Sequence, residues 1–149
     1  MGVFSGNLSY MRYFVEGASP VEKASDKESL VERFQLYATP ELTPEHEEDQ
    51  VHGWALVERV LDTDFTQDKI FFNDYTLLSL RIDSWKIPSA LLKAHQAEAE
   101  RAYMQEQGRD KLGKRERTLI RDQIKKKLKT RLLPSLAAYD ACWHMDSGL

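Results

Sequence analysis

Between Arg109 and Arg131 the chain reads RDKLGKRERTLIRDQIKKKLKTR, with eleven Lys and Arg against three acids. The other 126 residues hold ten Lys and Arg against twenty-one acids. A formal net charge of −3 thus divides into one segment of +8 and a remainder of −11. Solubility asks for mixed signs over a surface, not sorted ones. Sorting on this scale predicts a polyanionic partner, with nucleic acid first on the list.

The same segment has the spacing of a helix. Leu119, Ile120, Ile124, Leu128 and Leu132 recur at steps of one and four and define one apolar ridge. Arg115, Arg121, Lys125, Lys126 and Lys129 are expected to project away from it, while Lys127 and Arg131 lay their stems along it. A helix with only a structural role would pair Glu with Lys four residues on, and after Asp122 the segment has no acid. The candidate nucleic-acid contacts are therefore Arg109, Lys111, Lys114, Arg115, Arg117, Arg121, Lys125, Lys126 and Lys129. Base readout is not expected: the helix has no Asn, and its one Gln, Gln123, lies near the apolar side.

A length of 149 residues fits a single domain, 1–149, able to bury about two-thirds of its unfolded surface. No apolar run approaches the roughly 18 residues of a membrane span. The opening MGVFSGNLSYMR lacks the basic-then-apolar order of a signal peptide, and Gly6 stands where a myristoylation signal wants Ser or Thr. Cys142 is the one cysteine, so no internal disulfide is expected and a reducing cytoplasm is the expected compartment.

Along the chain, Val3 to Val15 reads as a strand with large side chains on both faces. Ser25 and Glu28 have capping-box spacing ahead of a helix marked by Leu30, Val31, Phe34 and Tyr37. Thr39-Pro40 stops it. Pro40 to Gln50 is an acidic loop with Glu41, Glu45, Glu47, Glu48 and Asp49, flanked by His46 and His52; its spacing does not suggest a metal site. Val51 to Leu61 suits either a strand or a short helix. Ile70 to Phe72 and Tyr75 to Trp85 read as strands joined at Asn73-Asp74. Pro88 opens a helix with Leu91, Leu92, His95, Ala99, Ala102 and Tyr103 on its inner side, ending at Gly108. The basic helix then returns, giving an antiparallel helical hairpin at about 88–133. Leu136 to Tyr139 suggests one more helical turn, and Ala141 to Met145 a last strand. Asp146-Ser147-Gly148 is a turn signal with only Leu149 after it, so either the chain continues or another chain completes the sheet. The fold class expected is α+β: an antiparallel sheet with packed helices and a protruding helical hairpin.

These pieces resemble the first half of the recombination-associated RdgC family of bacteria. The residues that carry the resemblance are NLSYMRY near the start, Gly53-Trp54, LLSLRIDSWKIP from Leu77 to Pro88, and Gln107-Gly108-Arg109. The last of these is followed by the basic helix and Leu132-Leu133-Pro134, and then by Trp143, Asp146 and Gly148. Departures are Ala-Leu-Val after Gly53-Trp54, a longer basic helix, and Ala137 where the family often has an aromatic at the hairpin tip. The resemblance implies a nucleoid-associated homodimer that encircles double-stranded DNA without sequence preference and needs no cofactor. The open strand edge expected at Ala141 to Met145 also suggests association.

Two other classes stand beside this one. The hairpin could dock an acidic protein. A nuclease would need clustered carboxylates around Mg²⁺. Asp62, Asp64, Asp68, Asp74 and Asp83, the last near Lys86, supply carboxylates without a complete motif. A non-enzymatic DNA-binding module is the reading expected from the residues, with no catalytic residue assigned.

Overall fold

A computed structural model describes residues 9–14 and 26–145. Over these residues the chain is mixed α+β with an antiparallel sheet, as the periodicities predict. The elements run α1 (Lys27–Leu36), β1 (Gln50–Ala55), α2 (Gln67–Ile70), β2 (Phe71–Phe72), β3 (Tyr75–Ser84), α3 (Ser89–Gln107), α4 (Lys114–Lys129) and β4 (Ser135–His144). They fall into two compact units. One contains Val51–Asp83 with the segments up to Glu41 and from Leu136; the other contains Leu42–Gln50 and Ser84–Ser135.

In the first unit β3 is the middle strand, paired with β1, β2 and β4. Its Thr76, Leu77, Leu78 and Ser79 are all buried, because a central strand is covered on both faces. Asn73 turns the chain back with φ of 55°, a left-handed conformation that asparagine tolerates. That two-residue turn sets Phe72 opposite Tyr75 and Phe71 opposite Thr76. Leu56, Phe65, Ile70 and Leu78 make the core, with Val31, Phe34, Ala38, Trp54 and Phe71 packed on it.

Of the ambiguous stretch Val51 to Leu61, the part up to Ala55 is a strand, and its first requirement is a glycine. Trp54 donates its N–H to the Tyr37 carbonyl at 2.9 Å, and its own carbonyl accepts from the Thr39 N–H at 2.9 Å. This parallel bridge to Ala38 brings backbone against backbone. A Cβ on Gly53 would lie 2.6 Å from Thr39 N, closer than any side chain can sit.

In the second unit α3 and α4 are in contact across the short connection 108–113. Gly108 ends α3 in the left-handed conformation at φ 59°, and the Arg109 N–H returns to the Met104 carbonyl at 3.0 Å, the closure expected of a C-terminal glycine. Gly113 opens α4, and the Glu116 carboxylate accepts its N–H at 2.7 Å. This is half of a capping box, since glycine has no side chain to complete it. Leu92 on α3 and Ile120 and Leu128 on α4 are buried, as are Leu42 and Leu112 in the loops.

Several expectations need correction. Ser9 to Phe14 forms no strand; the rest of that expected strand lies outside the described residues, as does the turn at Asp146 to Gly148. Ser25 also lies outside them, and α1 is capped by Asp26, whose Oδ1 accepts from the Ser29 N–H at 3.1 Å. Leu136 to Tyr139 is not helical but part of β4, because pairing with β3 overrides the local preference of an alanine-rich tetrad. Pro88 precedes α3 instead of occupying its first turn. On the helices, Ala102 is exposed, and Leu119 is 63% exposed and so leaves the ridge. Among the described residues no helix is long and apolar enough to cross a membrane.

Candidate nucleic-acid interface

Helix α4 places Lys114, Thr118, Arg121, Lys125 and Lys129 at steps of four, three, four and four. Such steps put side chains on one stripe of a helix. The aliphatic side chains Ile120, Ile124 and Leu128 take the neighbouring stripe and are buried or half-buried. The polar stripe is therefore fixed by the burial of its apolar neighbour.

The nine candidate cations divide into three groups. Lys111, Lys114, Arg115, Arg117, Arg121 and Lys126 are exposed and form no ion pair among the described residues. Arg109 is exposed but engaged, with Nη1 3.1 Å from Oε1 of Glu116; it clamps the connection to the first turn of α4. Lys125 and Lys129 are the third group, and both turn to Asp49.

Lys129 is the correction in this set. It was expected to project into solvent, yet it is only 4% exposed. Its Nζ lies 2.9 Å from Oδ1 of Asp49 and donates to the His46 carbonyl at 3.2 Å. A buried ammonium must find such acceptors, because its desolvation is otherwise uncompensated. Lys125 Nζ reaches the other carboxylate oxygen, Oδ2, at 3.3 Å. The hydrogen bond from Lys129, helped by the charge of Lys125, holds the Asp49 carboxyl below the ordinary aspartate range despite some burial.

Residues 42–49, part of the Pro40 to Gln50 stretch read from sequence as an acidic loop, are thus tied to the basic helix at two points. His46 also fastens the loop internally: its Nδ1 accepts from the Thr43 N–H at 3.1 Å, with Thr43 Oγ1 at 2.9 Å. The signal in the sequence was the sorting of charge itself. A loop with a run of acids, in a chain with one strongly basic helix, has an obvious counter-surface, and Asp49 is its point of contact.

Three of the five carboxylates weighed for metal chemistry, Asp62, Asp64 and Asp83, have other partners. Both oxygens of Asp83 are taken by the Arg81 guanidinium, with Nε donating to Oδ1 at 2.9 Å and Nη2 to Oδ2. Lys69 Nζ lies 3.1 Å from Asp64 and 3.7 Å from Asp62. Among the described residues no three His, Cys, Asp or Glu side chains converge as metal ligands.

No protein-family model matches the chain, and no curated protein matches it.

Proposed function

We propose that this chain binds double-stranded nucleic acid without sequence preference, through the exposed cations of the first half of α4 and the connection before it. The observation that supports this reading is the group Lys111, Lys114, Arg115, Arg117 and Arg121: five exposed cations without an ion-pair partner among the described residues. An arrangement of this kind neutralises phosphates and releases condensed counterions, which is favourable for any sequence. The helix offers no Asn for base edges, so positioning contacts dominate over specifying ones. The resemblance to the RdgC family agrees in kind and favours DNA. The homodimer is proposed on that resemblance and on the open strand edge expected at Ala141 to Met145, and sedimentation equilibrium tests it. No chemistry on the nucleic acid is proposed; Asp83, the strand-end carboxylate nearest to a catalytic placement, is engaged by Arg81.

The test is a duplex titration over a range of salt. Replacing Arg115, Arg117 and Arg121 together by Gln is expected to weaken binding equally for unrelated sequences. The slope of log K against log salt should flatten by about 0.9 for each lost phosphate contact. Loss confined to one sequence would contradict the phosphate mechanism. Absence of duplex binding at low salt, with capture of an acidic protein, would favour the docking alternative, and Mg²⁺-dependent cleavage would favour a nuclease.

A further inference from the structure

The stripe that runs from Lys114 through Arg121 does not continue freely to the end of α4. Its last two cations, Lys125 and Lys129, grip the two oxygens of one carboxylate, at 3.3 and 2.9 Å. Two ammonium groups about one turn apart that share one anion have the arrangement in which they would hold a phosphate. Asp49 stands at that place.

The loop that carries Asp49 brings more charge with it. Lys129 Nζ is bonded both to the His46 carbonyl and to Asp49, so the two residues between them, Glu47 and Glu48, are held close by. With consecutive Cα atoms about 3.8 Å apart, their backbone stays within roughly one Debye length of that ammonium, about 8–10 Å at physiological salt. Both glutamates are exposed, as is Glu45. Glu45, Glu47, Glu48 and Asp49 set four carboxylates against the five cations Lys125, Lys126, Lys127, Lys129 and Arg131. The C-terminal half of α4, with Arg131 just beyond it, is nearly neutralised from within the chain, while Lys111 to Arg121 keeps its charge.

Building on the nucleic-acid reading above, we propose that the 42–50 loop is an intramolecular polyanion that occupies the C-terminal half of α4. It confines phosphate contacts to the half from Lys111 to Arg121. Lys129 anchors the loop, and the exposed glutamates repel a strand that would otherwise follow the stripe to its end.

The experiment compares two triple variants with the same change in net charge. Glu45, Glu47 and Glu48→Gln strips the loop but keeps the Asp49 anchor. Glu28, Glu32 and Glu58→Gln removes three exposed carboxylates elsewhere in the chain. For duplex DNA, the loop variant should bind more tightly than wild type and steepen the salt slope by about 2, two newly available cations at about 0.9 each. The control should leave the slope unchanged. Adding Lys126→Gln and Lys127→Gln should do nothing to the wild-type slope and return the loop variant to it. Equal slopes for the loop and control variants overturn the proposal, as does a wild-type slope that already falls when Lys126 and Lys127 are changed.

Retention on immobilised heparin separates this inference from the nucleic-acid reading on which it rests. If no form binds duplex at any salt, the nucleic-acid reading fails. The loop inference then stands if the loop variant elutes from heparin at higher salt than the control, and falls if the two elute together.

Discussion

Lys129 Nζ lies 2.9 Å from Oδ1 of Asp49, so the most buried cation of the basic helix belongs to the fold before it belongs to any ligand. The aspartate has an acid-sensitive part in this. Its folded carboxyl titrates below the ordinary value of 3.8, chiefly through the Lys129 hydrogen bond. A group with a depressed folded pKa contributes stability above its unfolded pKa and loses it as pH falls through the folded value. The Asp49 side chain is 48% exposed, so solvent screens the pair, and Asp49→Asn should cost about 1 kcal/mol at pH 7. The gap from wild type should shrink as pH is lowered through 4 toward 3. Urea unfolding of both proteins across that range checks it, and a gap independent of pH would refute the assignment.

Gly53 should tolerate no side chain. Its conformation is not the obstacle; the space is, since a new Cβ would meet Thr39 N at 2.6 Å and the Ala38 carbonyl carbon at 2.7 Å. Those atoms are backbone and are fixed by the bridge to Trp54, so they cannot move aside as a side chain would. Gly53→Ala is expected to destabilise by about 3 kcal/mol, at the upper end of overpacking costs. A melting temperature within a degree of wild type would show that the bridge yields.

Gly108 makes the opposite case. A Cβ there meets nothing within 4 Å, but φ is +59°, a conformation that costs an L-residue about 1 kcal/mol or a little more. Gly108→Ala should lower stability by that amount, and Gly108→Asn by less, because asparagine visits this region more readily. Equal stability of the two variants would remove the conformational explanation.

How far the sequence foretold this structure depends on the range of the signal. Gly108 and Asn73 carry local signals, and the helix end and the hairpin turn follow them. Leu136 to Tyr139 misled because its residues suit a helix in isolation, and only β3, sixty residues earlier in the sequence, makes them a strand. Lys129 misled in the same way. Helical spacing shows which cations leave the apolar ridge, but it contains nothing about a loop eighty residues earlier that closes over one of them. Leu119 fell on the wrong side because steps of one and four mark a ridge two residues wide, and burial selected Ile120.

Arg81 and Asp83 show what the strand-end carboxylate does in this fold. Two residues apart on β3, they point to the same face, and their side chains are 14% and 7% exposed. Arg81 meets the carboxylate with Nε and Nη2 and spends Nη1 on the Val60 carbonyl at 3.2 Å. Each charge is thus satisfied only while the other is present. Asp83→Leu should leave a largely buried guanidinium without its counter-charge and cost about 3–5 kcal/mol, and Arg81→Met should cost a similar amount by stranding the carboxylate. Replacing both, as Arg81→Met with Asp83→Leu, removes both desolvation costs and should recover most of the loss, because apolar isosteres of buried pairs are often neutral. A double-mutant cycle measured by urea unfolding reads the coupling directly. Additive single losses would mean that the two side chains act independently and that the pairing contributes nothing to the sheet.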